Sequence, residues 1–582
     1  MELLSGNEAI ARGAWEAGVA VATGYPGTPS TEILENVVKY KPDIYCEWSP
    51  NEKVAFEVAA GASLAGARSI VTMKHVGLNV AADPLMTLSY IGVVGGFVAC
   101  VADDPGMQSS QNEQDTRHYA RFAKVPIFEP SDSQEAADYL RLAQEASEQF
   151  SVPAILRTTG RVSHSRSLVT LGERKPPRSV GFQKNPPRFV PIPVWGRVMR
   201  ANVEDRLRRL QAAAEESPAN RIEWRNRSLG IVTAGIAYHY VRDVFPEASV
   251  LKLGWSYPFP DRLLRELAAG VGRVLVVEEL DDILEQHIKA LGISCDGRNF
   301  VPGIGELTPH RVQLARARYE GRDARPIQPV PEAADLPARP PVLCPGCPHR
   351  SIFYALGKHD VVVTGDIGCY SLGVFPPLAR IDTILCMGGG ISMAQGFQKA
   401  GEPKKVVGIV GDSTFFHSGI TGLLDIAYNR GTSTIIVVDN RTTAMTGHQD
   451  HPGTGVTLMG DKTAAASIED LGRACGIRRV RTVDPYDLKT TMQVLKEEIE
   501  TDEPSLVISR APCLLHERPP VAAKYTVNAE KCKECGLCLK LGCPAMEGGG
   551  GAPRINDLLC SGCGLCMQVC RCDVIGPVES AS

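Results

Sequence analysis

The stretch Val406-Val407-Gly408-Ile409-Val410-Gly411-Asp412-Ser413 is an apolar run that ends in a carboxylate. The run Thr434-Ile435-Ile436-Val437-Val438 likewise ends in a polar cluster, Asp439-Asn440-Arg441-Thr442. Such runs predict buried strands of a parallel sheet, and parallel sheets bind ligands at the carboxyl ends of their strands. Asp412, Asn440 and the Thr442 carbonyl would supply the oxygen ligands that Mg²⁺ prefers. The two runs therefore predict an α/β domain with a cation site at one edge of its sheet.

The same alternation of short apolar runs with helical patterns recurs along the chain and predicts several doubly wound α/β domains with parallel sheets. We place these domains at 1–165, 228–322 and 343–522. The weakly patterned segment 166–227 is interpreted as a connector over the surface, and 323–342 as a Pro-rich linker. Residues 523–582 are dense in Cys and Gly, and so small a domain would need bound metal to fold.

Composition excludes several classes of function. The 582 residues carry 62 Lys and Arg against 66 Asp and Glu, a net charge of -4, which indicates neither nucleic acid nor anionic lipid as a partner. The apolar runs fall short of the ~20 residues that a membrane span needs. The first residues lack the basic and apolar regions of a secretory signal. We expect a cytoplasmic protein without membrane or nucleic-acid partners.

Eighteen cysteines in a cytosolic chain indicate metal or redox chemistry rather than disulfides. Nine of them lie between Cys532 and Cys572, in two runs of similar pitch. The runs are Cys532-x2-Cys535-x2-Cys538-x4-Cys543 and Cys560-x2-Cys563-x2-Cys566-x3-Cys570. The alternative is a pair of zinc sites, but zinc sites use paired Cys-x2-Cys, whereas three cysteines at this pitch occur twice here.

The two runs resemble a bacterial ferredoxin domain with two 4Fe-4S clusters, in which the fourth cysteine of each run crosses to the other cluster. The resemblance implies one cluster on Cys532, Cys535, Cys538 and Cys570, and a second on Cys560, Cys563, Cys566 and Cys543. The sequence departs from the pattern at two points. One extra residue precedes Cys543, and Arg571 replaces the usual proline, which leaves Cys572 as a competing ligand.

Gly411-Asp412 followed by Asn440, 28 residues after Asp412, resembles the thiamine diphosphate motif. By itself a Gly-Asp pair after a strand is often only a turn. The resemblance implies that Asp412, Asn440 and Thr442 hold Mg²⁺ and the cofactor diphosphate, with Gly411, Gly388 and Gly389 as further cofactor-binding residues.

The combined pattern resembles the 2-oxoacid:ferredoxin oxidoreductase family over nearly the whole chain, and most closely its members that act on indolepyruvate. Gly24-Tyr25-Pro26-Gly27-Thr28-Pro29-Ser30 is similar to the family's Tyr-Pro-x-Thr-Pro-Ser segment, so the resemblance places Thr28 facing the substrate. Glu52 matches the glutamate that hydrogen-bonds the aminopyrimidine and favours its imino tautomer, the base that removes the thiazolium proton. Glu47 and Glu57 are the competing candidates.

Four further cysteines, in Gly- or Pro-marked turns, match the ligands of the cluster nearest thiamine in the pyruvate enzymes of this family. They are Cys344, Cys347, Cys369 and Cys513. The resemblance implies a third 4Fe-4S cluster that would receive electrons one at a time. The alternative is that these thiols are only packed in turns near the cofactor.

Substrate selection is predicted from two residues. Met445 replaces the Asn of the pyruvate enzymes' Asn-Thr-Gly-Gly-Gln segment, and an unbranched, polarizable side chain suits a larger, aromatic substrate. Arg117 is predicted to pair with the carboxylate of the 2-oxo acid, and the alternative is a surface arginine on a helix. Four histidines near the predicted site, His75, His417, His448 and His451, receive no catalytic step.

The resemblance implies a catalytic alpha subunit that oxidatively decarboxylates an aryl 2-oxo acid with coenzyme A and passes electrons to ferredoxin. A beta subunit is the expected partner. Three alternatives stay open: another 2-oxo acid specificity, a non-oxidative decarboxylase that leaves the tail unexplained, and an electron-transfer subunit whose thiamine domains are inactive.

Overall fold

A seven-stranded sheet lies at the centre of the first of two structural units, Met1–Leu336 and Pro337–Ser582. The computed structural model describes residues 1–176, 181–323, 341–517 and 523–578. Nearly all of the predicted Pro-rich linker, 323–342, therefore lies outside the described residues.

The first unit contains thirteen strands within its described residues. They are β1 (Glu2–Ser5), β2 (Val21–Gly24), β3 (Tyr45–Trp48), β4 (Ser69–Lys74), β5 (Phe97–Asp103), β6 (Ile127–Phe128), β7 (Ala154–Thr159), β8 (Arg166–Val169), β9 (Asn220–Glu223), β10 (Asn226–Ala234), β11 (Ala248–Leu253), β12 (Trp255–Tyr257) and β13 (Arg273–Val277).

Its helices alternate with these strands. They are α1 (Gly6–Glu16), α2 (Thr31–Val37), α3 (Glu52–Leu64), α4 (His75–Val80), α5 (Ala82–Ile91), α6 (Arg117–Ala123), α7 (Ser133–Phe150), α8 (Gly160–His164), α9 (Pro186–Phe189), α10 (Pro193–Glu216), α11 (Ala237–Val244), α12 (Asp261–Gly270), α13 (Ile283–Ala290) and α14 (Pro309–Tyr319), with a 3-10 turn at Val38–Tyr40.

The large sheet has the order β12-β6-β7-β5-β4-β2-β3 and is parallel except for β12. Every residue of β4, β5 and β7 is buried, so both faces of the sheet are covered. This burial explains why the central strands are almost continuously apolar. The doubly wound α/β fold predicted from the sequence is confirmed.

A smaller sheet with the order β13-β10-β11-β9 occupies the later part of the first unit. Two of its three pairings are parallel, β10 with β11 and β10 with β13. Three short strands pair across the predicted domain boundaries. Strand β8, at the start of the segment interpreted as a connector, pairs antiparallel with β1. Strand β9, from the segment interpreted as a connector, pairs antiparallel with β11, and β12 pairs with β6 of the large sheet. Pairings between such distant short segments leave no local signal in the sequence.

The segment interpreted as a connector also contains a long helix. Helix α10 starts at Pro193 and continues to Glu216. Met199, Val203, Leu210 and Ala214 are buried along one face, so the helix packs on the unit. Apart from Arg206, which is buried on this face and donates to the Ser89 and Ser151 carbonyls, its charged residues lie on the more exposed faces, the usual pattern of a surface helix.

The second unit is built on five parallel strands in the order β14-β15-β16-β18-β17, followed by two short antiparallel pairs, β19-β22 and β20-β21. The strands are β14 (Val361–Thr364), β15 (Lys405–Gly411), β16 (Thr434–Asp439), β17 (Arg479–Val483), β18 (Ser505–Arg510), β19 (Tyr525–Val527), β20 (Met546–Glu547), β21 (Arg554–Ile555) and β22 (Ile575–Pro577). The helices are α15 (His349–Leu356), α16 (Gly389–Lys399), α17 (Asp412–Thr414), α18 (Ile420–Tyr428), α19 (Ile468–Ala474), α20 (Leu488–Glu500), α21 (Leu514–Glu517) and α22 (Leu565–Val569), with 3-10 turns at Cys369–Val374, Ala444–Thr446 and Cys538–Leu541 and a π-helical turn at Phe415–Gly419.

Among the described residues, no helix combines the length and apolar character needed to cross a membrane.

Candidate active site

Glu52 is the first residue of α3, just beyond the carboxyl end of β3 in the first unit. The Asn51 side chain begins the helix by accepting a hydrogen bond from the Val54 amide at 3.0 Å, and a carboxylate in the first turn is favoured by the helix dipole. Glu52 is only 5% exposed. A methyl group at Gly77 would lie 2.6 Å from Glu52 Oε1, so the absence of a side chain at Gly77 makes room for the carboxylate.

The two competing glutamates differ from Glu52 in their surroundings. Glu57 lies one helical turn further along α3, where its half-exposed carboxylate pairs with Lys53. Glu47, in β3, accepts hydrogen bonds from the hydroxyls of Tyr45 and Ser49. Of the three, only Glu52 is a buried carboxylate, which is the environment expected of a group that acts on a bound cofactor.

The loop that carries Thr28 follows the carboxyl end of β2. Its backbone is held by local hydrogen bonds, including one from the Gly27 amide to the Thr31 hydroxyl at 2.9 Å. The Thr28 carbonyl accepts a hydrogen bond from the Ser109 hydroxyl at 3.2 Å. The structure thus fixes Thr28 to the loop that follows β5, at the same edge of the sheet as Glu52.

Lys74 is a residue of this edge that the sequence analysis missed. It ends β4 and is 9% exposed. Its Nζ donates a hydrogen bond to the Ser109 carbonyl at 2.9 Å. Burial lowers the pKa of Lys74 to about 8, although Asp104 and Glu52 attract its charge. The sequence signal that could have identified Lys74 is its position, since it is the last residue of a strand whose other residues are uncharged.

Arg117 lies in a buried cluster of ion pairs. Its guanidinium donates to Asp115 at 2.6 and 2.9 Å, to Glu278 at 2.7 Å, and to the carbonyls of Glu279 and Asp281. The side chain is only 3% exposed. This geometry favours a structural role for Arg117, because most of its donors are already occupied, and binding of the substrate carboxylate by Arg117 stays a prediction. The alternative of a surface arginine is wrong, because the side chain is buried.

In the second unit, Asp412 and Asn440 follow the neighbouring parallel strands β15 and β16, as predicted. Both are buried, as is Thr442. Asp412 accepts hydrogen bonds from the Ser413 amide at 2.9 Å and from His451 Nε2 at 3.1 Å. Burial acts to raise the pKa of Asp412, but the His451 hydrogen bond and charge outweigh it and hold the pKa below its ordinary value. An ionised carboxylate beside an amide oxygen suits Mg²⁺.

Gly388 and Gly389 form the turn into α16. Gly388 has a φ of 83°, which favours glycine, and a side chain there would strike Ser418. Asp366, three residues before Cys369, accepts a hydrogen bond from the Gly390 amide at 2.9 Å. Burial raises the pKa of Asp366 to about 7. This carboxyl group holds the glycine turn in place beside β14.

Four thiols from three separate loops of the second unit influence each other electrostatically. Burial, followed by the neighbouring thiols of Cys344 and Cys513, raises the pKa of Cys369 to about 11. Burial raises that of Cys347 to about 12, with contributions from Cys344 and Cys369. The fold therefore brings together the four cysteines predicted to hold the third cluster.

Two cavities in the Cys-rich tail separate its cysteines into the groups that the resemblance implied. The residues that line the first include Cys543, Cys560, Cys563 and Cys566. The residues that line the second include Cys532, Cys535, Cys538, Cys570 and Cys572. In each cavity the fourth cysteine comes from the other run, and Cys572 lines the second cavity as the departure from the pattern suggested.

Residues of the described ranges include no group of three His, Cys, Asp or Glu side chains placed to hold one metal ion.

Met445, predicted to select the substrate, lies on the 3-10 turn after Asn440 and is 51% exposed.

Comparison with known proteins assigns both units to thiamine-dependent enzymes. Residues 12–215 match the family model for the thiamine diphosphate-binding domain of pyruvate flavodoxin/ferredoxin oxidoreductases. Residues 366–509 match the C-terminal, cofactor-binding domain of thiamine pyrophosphate enzymes. The indolepyruvate oxidoreductase subunit IorA of Methanothermobacter marburgensis is 43% identical over 99% of this chain and 97% of its own.

The chain belongs to the IorA family. The IorA subunit of Pyrococcus horikoshii is 42% identical over 98% of this chain and 95% of its own length. A solved 2-oxoglutarate:ferredoxin oxidoreductase from Magnetococcus marinus is 16% identical, with a TM-score of 0.46, and covers 55% of this chain and 65% of that one. Family membership confirms the resemblance to 2-oxoacid:ferredoxin oxidoreductases and the presence of thiamine diphosphate-binding domains.

Proposed function

We propose that this chain is the catalytic alpha subunit of an indolepyruvate:ferredoxin oxidoreductase. It would convert an aryl 2-oxo acid and coenzyme A into aryl-acetyl-CoA and CO₂, and two electrons would pass to ferredoxin. The observation that carries the proposal is the full-length similarity to IorA subunits, in a chain that keeps a buried Glu52, a buried Asp412 beside Asn440, and three groups of neighbouring cysteines.

Thiamine diphosphate would supply the carbanion that attacks the ketone and stabilises the charge left by decarboxylation. Glu52 would donate or accept the proton shared with the aminopyrimidine nitrogen. Its burial supports this role, because a carboxylate removed from water exchanges a proton with a bound partner more readily than with solvent. Thr28, on the neighbouring loop, would face the substrate.

Asp412, Asn440 and the Thr442 carbonyl would hold Mg²⁺ and through it the diphosphate, with Gly388 and Gly389 beside the phosphates. The donor set fits a hard cation. The Thr442 hydroxyl is buried without a hydrogen-bond partner among the described residues, which supports a role for this loop in binding a polar group.

Three 4Fe-4S clusters would conduct the electrons. The neighbouring cysteines Cys344, Cys347, Cys369 and Cys513 support one cluster, and the two tail cavities support the others. We infer that Cys570 rather than Cys572 completes the Cys532 site, because it matches the ferredoxin spacing. A cytosolic location would keep these thiols reduced.

The substrate and partners follow from the family. An exposed Met445 in place of an asparagine favours an aryl side chain, and the IorA relatives are named for indolepyruvate. The relatives are named as subunits, which supports a beta-subunit partner, and ferredoxin and coenzyme A would be the remaining reactants. The proposed domain limits are those predicted from the sequence.

The test is anaerobic purification of the chain together with its beta subunit, followed by addition of indolepyruvate, phenylpyruvate or pyruvate with coenzyme A. We expect the aryl acids to bleach the iron-sulfur absorbance when thiamine diphosphate is present. Glu52→Gln should lower the rate of bleaching at least about 100-fold, because it removes a general acid-base group. Glu57→Gln, an exposed change on the same helix, should have no effect.

A different outcome would support the electron-transfer alternative. If no 2-oxo acid bleaches clusters that dithionite still reduces, the chain conducts electrons without oxidising a 2-oxo acid. If pyruvate alone bleaches the clusters, the reaction class holds but the aryl specificity is wrong.

A further inference from the structure

The ammonium group of Lys74 is buried without a counter-ion. Within the described part of the chain, no carboxylate oxygen lies within 4 Å of its Nζ, and its one hydrogen bond is to the Ser109 carbonyl. An ammonium group has three donors, and burying it unpaired is costly. A negatively charged ligand would supply the missing partner.

The nearest carboxylates are engaged elsewhere. Asp104 accepts hydrogen bonds from the amides of Gln108 and Ser109 and from the Ser110 hydroxyl. These bonds turn its oxygens toward its own loop and leave Lys74 with only a longer-range attraction.

The position of Lys74 relates it to the reacting groups. Its side-chain carbons Cγ and Cδ lie 3.1 Å from where a side chain on Gly27 would begin, so the stem packs on the loop that carries Thr28. Glu52 is close enough to attract its charge. Lys74 also ends β4, at the sheet edge where parallel strands bind ligands.

We propose that Lys74 binds the carboxylate of the 2-oxo acid, the role that the sequence predicted for Arg117. The inference rests on the proposed function, since it assigns a substrate-binding residue to that same site. A monocarboxylate fits better than a polyphosphate, because Glu52 and Asp104 add negative charge nearby and would repel a second anionic charge.

The binding of the carboxylate requires the protonated lysine. Because burial lowers the pKa of Lys74 to about 8, the KM for the acid should rise above about pH 8. The titratable groups that face Lys74 are Asp104, Glu52 and His75. Burial lowers the pKa of His75, so the imidazole is neutral in this range and does not compete for the anion.

The test compares Lys74→Met and Lys74→Arg in the anaerobic complex with the beta subunit. Lys74→Met should raise the KM for phenylpyruvate about 10- to 100-fold, the effect of losing one charge-assisted hydrogen bond, without changing the thiamine diphosphate concentration for half-maximal activity. Lys74→Arg should restore most of the affinity and remove the rise in KM above pH 8. Lys53→Met, on the exposed face of α3, is the matched control and should leave KM unchanged.

A second readout needs no turnover. Calorimetric titration of the resting complex with phenylacetate and with phenylacetamide compares a carboxylate with its neutral analogue. The parent complex should bind phenylacetate more tightly, and Lys74→Met should abolish that preference while binding phenylacetamide as before. Tryptophan fluorescence confirms that the variant is folded.

Any of three results with a folded Lys74→Met variant would overturn the assignment. The first is an unchanged KM, and the second is an unchanged preference for phenylacetate. The third is a loss of thiamine diphosphate affinity alone, which would place the cofactor phosphates at Lys74. If the parent complex is not reduced by any 2-oxo acid but still shows the Lys74-dependent preference, the proposed function fails while the carboxylate site stands.

Discussion

The buried ion pairs of Arg117 lead to a quantitative prediction for Arg117→Met. The change removes the cation that lies 2.6 Å from Asp115 and 2.7 Å from Glu278. The three side chains are at most 4% exposed, so water cannot replace the lost partner without rearrangement of the fold. Methionine keeps much of the volume and removes the charge.

We expect Arg117→Met to lower the free energy of unfolding of the first unit by about 3–5 kcal/mol, the usual cost of leaving a buried charge unpaired. Arg161→Met is the control. Arg161 also forms an ion pair, with Glu306 at 2.7 Å, but its side chain is half exposed, and such pairs contribute at most about 1 kcal/mol.

The pH dependence of this loss has a definite sign. Burial acts to raise the pKa of Asp115, but Arg117, with Arg157, more than offsets this and depresses the pKa below its ordinary value. A depressed pKa contributes stability at pH values above the unfolded-state pKa of about 4, and that contribution is lost as the pH falls. The deficit of Arg117→Met should therefore be largest near pH 7 and shrink below about pH 4.

Urea unfolding followed by tryptophan fluorescence measures this deficit. All five tryptophans of the chain lie in the first unit, so the signal reports on the unit that contains Arg117. With a slope of about 3 kcal/mol per M urea, the midpoint should fall by about 1–2 M. A stability within about 1 kcal/mol of the parent protein, combined with a raised KM for the 2-oxo acid, would refute the reasoning and restore Arg117 as a substrate-binding residue.

Two further predictions concern the cofactor sites. Gly77→Ala should lower the rate of cluster bleaching by the 2-oxo acid roughly 100-fold, because the new methyl group displaces Glu52. Gly61→Ala, where a methyl group meets nothing within 4 Å, should leave that rate unchanged. Equal bleaching rates in the two variants would contradict the displacement of Glu52. Cys570→Ser should lower the iron content by about four atoms per chain, since a 4Fe-4S cluster loses a ligand. Cys572→Ser should leave the iron content unchanged. Iron analysis of the two variants distinguishes them, and the reverse result would assign Cys572 as the ligand.

Several features of the site follow from residues that are neighbours in the sequence. The runs that become β15 and β16 and the polar residues that end them are local patterns, so the placement of Asp412 and Asn440 at one sheet edge could be predicted. Cysteine spacing is local in the same way. The fold class followed because strand burial on both faces requires near-continuous apolar runs.

Which charged residues are buried and which residues they pair with could not be predicted in this way. Glu52 and Glu57 lie on one helix, yet one is buried and the other pairs with Lys53 at the surface. Arg117 was predicted to meet a substrate, but it meets Glu278 from a segment 161 residues away.

The α/β fold class, the family and the cysteine and thiamine motifs can be identified from the sequence, because each depends on the order of residues within short segments. The pairing of charges, the burial of Lys74 without a carboxylate partner and the pairing of β9 and β12 across the predicted boundaries emerge only in the folded protein. Burial and ion pairing depend on which distant segments the fold brings together, and the sequence of a single strand or helix does not indicate those segments.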